Sequence, residues 1–232
     1  MAMAITKIGT NGPDTLRGTD GDDNLLGKGG NDVLYALGGR DNLLGGEGKD
    51  WVLGGNERRA FGGNKNLLGG RGKDGVNGGI GSDTALGGSG DDYVAGDNGS
   101  DRVEGQEGRD FLFGGLGSDS VVGGEDGDWL VGSELRNAFT EILSGGDGDD
   151  ILRVDNVPAV KDVVSCGRGL DRVVADRKDV VADDCERVRV VHGTVAEVLK
   201  QENAFDESIP PAVLEFFGTF FERLAPDPTA GG

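Results

Sequence analysis

Aspartate recurs in this chain at a fixed spacing, always two residues before an aliphatic side chain. It stands at 14, 23, 32, 41 and 50, and again at 74, 83, 92, 101, 110, 119 and 128. The aliphatic partners are Leu16, Leu25, Leu34, Leu43 and Val52, then Val76, Ala85, Val94, Val103, Leu112, Val121 and Leu130. Every interval within a series is nine residues, and glycines fill the positions between. Carboxylates spaced this way, next to glycine turns with free carbonyls, offer hard oxygen donors for a hard cation.

The elements that must position these groups follow from the template G-G-x-G-x-D-x-U-x, with U aliphatic. Gly45-Gly46-Glu47-Gly48-Lys49-Asp50-Trp51-Val52-Leu53 is one unit, and Gly87-Gly88-Ser89-Gly90-Asp91-Asp92-Tyr93-Val94-Ala95 is another. The glycines permit tight turns with positive φ. The x-U-x piece reads as a short strand with U inward and its neighbours outward. A glycine-rich acidic linker is the competing reading, but a linker has no reason to hold an aliphatic residue in register every nine.

Composition narrows the function. The chain has 232 residues, 46 of them glycine, a net charge of −19 and only 6% aromatics. Such a chain has little apolar surface to offset backbone entropy. The negative charge argues against nucleic acid, and no apolar run of 18 residues predicts a membrane span. Met1–Ile8 has no apolar stretch of a secretory leader. No H-E-x-x-H, G-x-S-x-G or P-loop is present, and His192 is the single histidine, expected at the surface. The expectation is a protein that is not an enzyme.

The units resemble the RTX, or haemolysin-type, calcium-binding nonapeptides. The resemblance covers roughly residues 9 to 153, with a degenerate continuation to about 190. It implies an all-β fold, a right-handed parallel β-roll (β-solenoid) of nonapeptide repeats, here followed by a short C-terminal helical segment. In that roll two nonapeptides make one coil, so aspartates 18 apart stack at about the 4.8 Å strand spacing. The stacked pairs are 14/32, 32/50, 23/41, 74/92, 92/110, 110/128, 83/101 and 101/119. Calcium between them, completed by turn carbonyls, relieves their repulsion. About eight Ca²⁺ are implied, in two blocks, which would bring the charge to about −3. Asp150, Asp162 and Asp171 are further candidate metal ligands. The family's proteins are typically secreted, so an extracellular or cell-surface location is expected.

The pattern breaks twice. Between Asp50 and Asp74 the sixth position falls on Arg59 and then Lys65. Either the repeat has simply decayed there, or a side-chain cation stands where the ion would, neutralising Asp41 or Asp83. After Trp129 an insertion intervenes before Glu141-Ile142-Leu143 and Asp150-Ile151-Leu152 restore the period. The expected organisation is a calcium-binding roll over 1–155, irregular near 54–66 and with an insertion near 132–144. Degenerate coils follow over 156–192, and a helical cap or tail over 193–232. Cys166 and Cys185 lie about one coil apart, within disulfide reach if the coils stack. Two buried thiols are the alternative.

In the tail, Thr194-Val-Ala-Glu197 reads as a capping box. Val213, Phe216, Phe217, Phe220, Phe221 and Leu224 form one apolar helix face. This helix is expected to cap the roll, dock on its face or serve export. Tyr93, Phe111 and Trp129 stack outward as an apolar stripe, a contact surface for that Phe216–Phe221 helix or for a protein partner or second copy. Two functions fit: a secreted structural or interaction protein that folds on binding calcium, or the C-terminal secretion and folding module of a larger extracellular enzyme or toxin. The start at Met1 and the helical ending favour the first. An in-frame catalytic domain upstream in the gene would favour the second.

Overall fold

Each x-U-x segment forms a short strand, and each glycine-rich stretch turns the chain over to the opposite side. A computed structural model describes residues 3–55, 63–133, 139–156 and 159–191. Two ten-stranded sheets result, and the chain alternates between them. The first sheet runs from Thr6–Ile8 to Val180–Val181, the second from Thr15–Arg17 to Arg187–Val191. All pairings are parallel, each strand bonding to the strand two places away in sequence. Parallel neighbours need a crossover. Here the crossover is a turn, one strand of the other sheet and a second turn. The all-β parallel solenoid expected from the repeat is therefore present, and it contains no helix among the described residues. No described helix is long and apolar enough to cross a membrane.

The core is a double file, one side chain per strand. Leu34, Val52, Val76, Val94, Leu112, Leu130 and Leu152 of the second sheet face Leu25, Leu43, Leu67, Ala85, Val103, Val121 and Leu143 of the first, all buried. Register holds across both breaks in the sequence: Leu43 pairs with Leu67, and Leu130 with Leu152. With one buried aliphatic side chain per strand, the core is thin.

The outer faces differ. On the first sheet Asn24, Asn42 and Asn66 are exposed and linked side chain to side chain at 3.0 and 2.9 Å. Leu26, Leu44, Leu68 and Leu86 form a half-buried row beside them. On the second sheet the stripe is in register as expected, Tyr93 on Phe111 on Trp129. Tyr93 and Phe111 stack with ring centroids 5.5 Å apart. The stripe reaches further than the sequence suggested, since Trp51 and Leu53 join it. Tyr93 is 5% and Phe111 9% exposed, so this face is not bare. The helix expected over 193–232, with its Phe216–Phe221 face, and His192 lie outside the described residues.

Candidate metal centre

Two columns of turns run along the two edges of the solenoid. The turns entering the second sheet close on Asp14, Asp32, Asp50, Asp74, Asp92, Asp110, Asp128, Asp150 and Asp171, and last on Glu186. Each residue's backbone N–H donates to a carboxylate oxygen of the residue one coil further on, at 2.7–2.8 Å between aspartates and 3.0 Å to Glu186. Its carbonyl accepts from the strand that follows that residue, as Asp92 O accepts from Phe111 N at 2.9 Å. The turns entering the first sheet close on Asp23, Asp41, Lys65, Asp83, Asp101, Asp119, Glu141, Asp162 and Asp179. The same ladder runs there from Asp23 to Asp41, and from Lys65 down to Asp179.

One oxygen of each aspartate is used by this ladder. The other is buried and has no hydrogen-bond partner at Asp32, Asp41, Asp50, Asp74, Asp83, Asp92, Asp101, Asp110, Asp119, Asp128, Asp150 and Asp171. A buried carboxylate oxygen without a donor is costly. The cost registers in the acidities. Burial pushes Asp110 up to about 9 and Asp128 to about 8, with like charges in the column adding to it. Burial likewise raises Asp74, Asp92 and Asp101 to about 7, and Asp41, Asp50, Asp83, Asp119, Asp150 and Asp162 to about 6.

The bare oxygens point at glycine. A Cβ on Gly27 would run into Asp32 Oδ2 and the Gly45 carbonyl, and one on Gly87 into Asp92 Oδ2 and the Gly105 carbonyl. The first glycine of each turn thus leaves room where a carboxylate oxygen and a carbonyl of the next coil converge. This donor set, all hard oxygen and rich in negative charge, fits calcium. Sulfur and nitrogen donors take no part. Cys166, Asp184 and Cys185 lie close together. Both sulfurs, however, are joined in a Cys166–Cys185 disulfide with Cα atoms 5.2 Å apart, as the coil spacing suggested.

The column ends are built differently. Asp14 Oδ2 accepts from the amide and hydroxyl of Thr10, which hold its carboxyl below the usual range. The Thr19 amide and hydroxyl both donate to Asp23 Oδ2, and Asn156 donates to Asp162 Oδ2 at 2.9 Å. These three carboxylates already have donors and fit a cation less well than the interior ones.

All eight stacked pairs expected from the sequence are present as ladder steps. The division into two blocks holds for one column only. Asp50 reaches Asp74 directly, its N–H 2.7 Å from Asp74 Oδ1, 24 residues away. The extra residues of 54–65 belong to the other column, so the first column passes them undisturbed. Asp128 to Asp150 and Asp150 to Asp171 continue it. Glu141, which restores the period after the insertion, and Asp179 and Glu186 of the degenerate coils were not named as candidate ligands. Each immediately precedes a two-residue aliphatic or Arg-Val strand start, a signal weaker than the full template. Arg59 lies outside the described residues. Lys65 is buried in the column, with an ammonium contact set described below.

The chain matches the family model of the RTX calcium-binding nonapeptide repeat over residues 8–43, 26–57, 68–103, 95–130 and 137–156, more than half of its length. The unmatched gaps, 58–67 and 131–136, fall where the nine-residue period breaks, and the matches end before the last coils. No curated protein matches the chain.

Proposed function

The chain belongs to the RTX calcium-binding nonapeptide repeat family, and we propose on that basis that it is a secreted, non-catalytic protein whose roll folds on binding Ca²⁺. The observation that carries this reading is the file of buried aspartate oxygens without hydrogen-bond partners, one per coil from Asp32 to Asp171 on one edge and at Asp41, Asp83, Asp101 and Asp119 on the other. The ligands are the interior aspartates of both columns, from Asp32 to Asp171 and from Asp41 to Asp119. Asp14, Asp23 and Asp162 act as weaker end members. Calcium supplies the charge that lets these carboxylates stay ionised and buried together. Because the unfolded chain cannot assemble such sites, binding free energy becomes folding free energy. The thin core described above is consistent with that dependence.

The Cys166–Cys185 disulfide supports an oxidising, extracellular setting. The apolar stripe of Trp51, Tyr93 and Phe111 supports an interaction role, and we take the Phe216–Phe221 segment of the same chain, or a partner molecule, as what it would receive. Removing 193–232 should then expose that face to an apolar dye. The central test is calcium titration by circular dichroism. β structure should form with calcium in roughly the 10⁻⁴ to 10⁻³ M range of extracellular modules. Full β structure in excess EGTA would sink the reading.

A further inference from the structure

Lys65 holds a position in the irregular column where the template has an aspartate. Its backbone keeps the ladder: its N–H donates to Asp83 Oδ1 at 2.7 Å, and its carbonyl accepts from Thr84 N at 2.8 Å. Its side chain is buried, 2% exposed, among turn atoms rather than at the surface. A buried ammonium must find acceptors for its donors or be expelled. Here Nζ donates to the Gly63 carbonyl of its own turn at 3.2 Å and to the Ile80 carbonyl of the next turn at 3.1 Å.

The residues above and below it in the column are Asp41 and Asp83, each with a buried Oδ2 that has no hydrogen-bond partner. Burial raises both carboxyls, and the Lys65 charge is the largest influence opposing that rise at Asp83. The ammonium therefore sits on carbonyl oxygens of two successive turns, at the column position between Asp41 and Asp83. Plain decay of the repeat would not explain why the charged end is turned inward onto carbonyls. A lysine at a turn has a flexible stem long enough to reach water.

We propose that Lys65 is a built-in cation that takes the place of calcium between Asp41 and Asp83, making this step of the column independent of the ion. The proposal rests on the calcium reading of the other steps. Carbonyl and carboxylate oxygens accept N–H donors as readily as they ligate Ca²⁺. A covalently attached charge, however, needs no free ion and cannot dissociate.

Two variants of the full chain test this, with bound calcium counted at saturation by equilibrium dialysis and melting followed in calcium. Lys65→Asp restores the template and should bind one or two more ions than the parent. Lys65→Met keeps the stem but removes the charge; it should gain no ion and melt lower by roughly 5 °C. An unchanged ion count in a folded Lys65→Asp protein would overturn the proposal. So would a Lys65→Met protein that melts at or above the parent, the usual result when a buried charge without an ionic role becomes apolar. If Lys65→Asp does not fold, the Lys65→Met melt decides alone. A parent that binds no calcium would instead overturn the calcium reading, so the two failures are distinguishable.

Discussion

The two edges of this solenoid are made from the same repeat but have different histories of irregularity. Along the edge entering the second sheet, aspartate follows aspartate from Asp14 to Asp171 through short turns. The edge entering the first sheet takes the extra residues of 54–65 and 132–141, and it carries Lys65 and Glu141 in place of aspartate. A coil needs only its two strands in register with their neighbours. Extra residues can loop out at one turn without moving the other. One edge can therefore remain an unbroken carboxylate ladder while the other absorbs insertions and a charge reversal. Continuity of charge, and with it cooperative ion binding, is expected of the regular edge.

Asp110→Ala against Asp101→Ala breaks or sharpens that comparison with the largest effect. Asp110 lies in the middle of the unbroken column, bonded to Asp92 and Asp128. Asp101 lies in a run that stops at Lys65 on one side and meets Glu141 on the other. In calcium titrations Asp110→Ala should shift the folding midpoint by roughly tenfold, about 1.4 kcal/mol, and flatten its cooperativity. Asp101→Ala should do less, and equal losses would remove the distinction between the edges.

Acid comes next. In the folded chain burial raises Asp110 to about 9, Asp128 to about 8, and Asp74 and Asp92 to about 7, against 3.8 in an ordinary setting. The fold then binds protons more tightly than the unfolded chain does. The stability this confers is fully present below about pH 4 and is lost as pH rises through about 6 to 9. Without calcium the protein should therefore hold more β structure at pH 4 than at pH 8. With calcium the dependence should reverse, because the ion competes with protons for the same oxygens. A calcium-free protein with more β structure at pH 8 than at pH 4 would contradict the burial of these groups.

A smaller and more local effect is expected from the disulfide. It joins the strand Val163–Arg168 of the first sheet to the turn before Arg187–Val191 of the second. Replacing both cysteines by serine should cost about 3 kcal/mol from loop closure alone. Hydrogen exchange should show the loss over the last coils, with residues 74–128 unaffected. Exchange accelerated throughout would mean that the roll unfolds as one unit. The smallest effect belongs to Asp14→Ala. Asp14 stands at the column's open end with Thr10 already on its free oxygen, so its calcium midpoint should move less than about twofold, under 0.5 kcal/mol.

Much of this was legible in the residues. The inward positions could be named one by one, and Leu25, Leu34, Val76, Val94 and Leu112 are all buried. The interior ligand candidates could be named as well, since a strict period of nine ties each aspartate to a turn and each aliphatic residue to the core. Asp179 and Glu186 were harder to see as members of the columns. In the later coils the glycines thin out, and a single carboxylate before a strand is common in any sequence.

What the sequence determined by itself was the unit: turn, strand, inward side chain and oxygen donor, because each is a local property of nine residues. Tertiary structure alone decided which units meet across an irregularity. The 24-residue step from Asp50 to Asp74 and the 22-residue step from Asp128 to Asp150 are set by strand register, which holds whatever length of chain loops out between. Sequence distance cannot report that. It also could not choose between a decayed repeat and a substituted cation at position 65. The choice depends on whether carbonyls from two different turns, Gly63 and Ile80, converge on one ammonium. Only the stacking of coils brings those oxygens together.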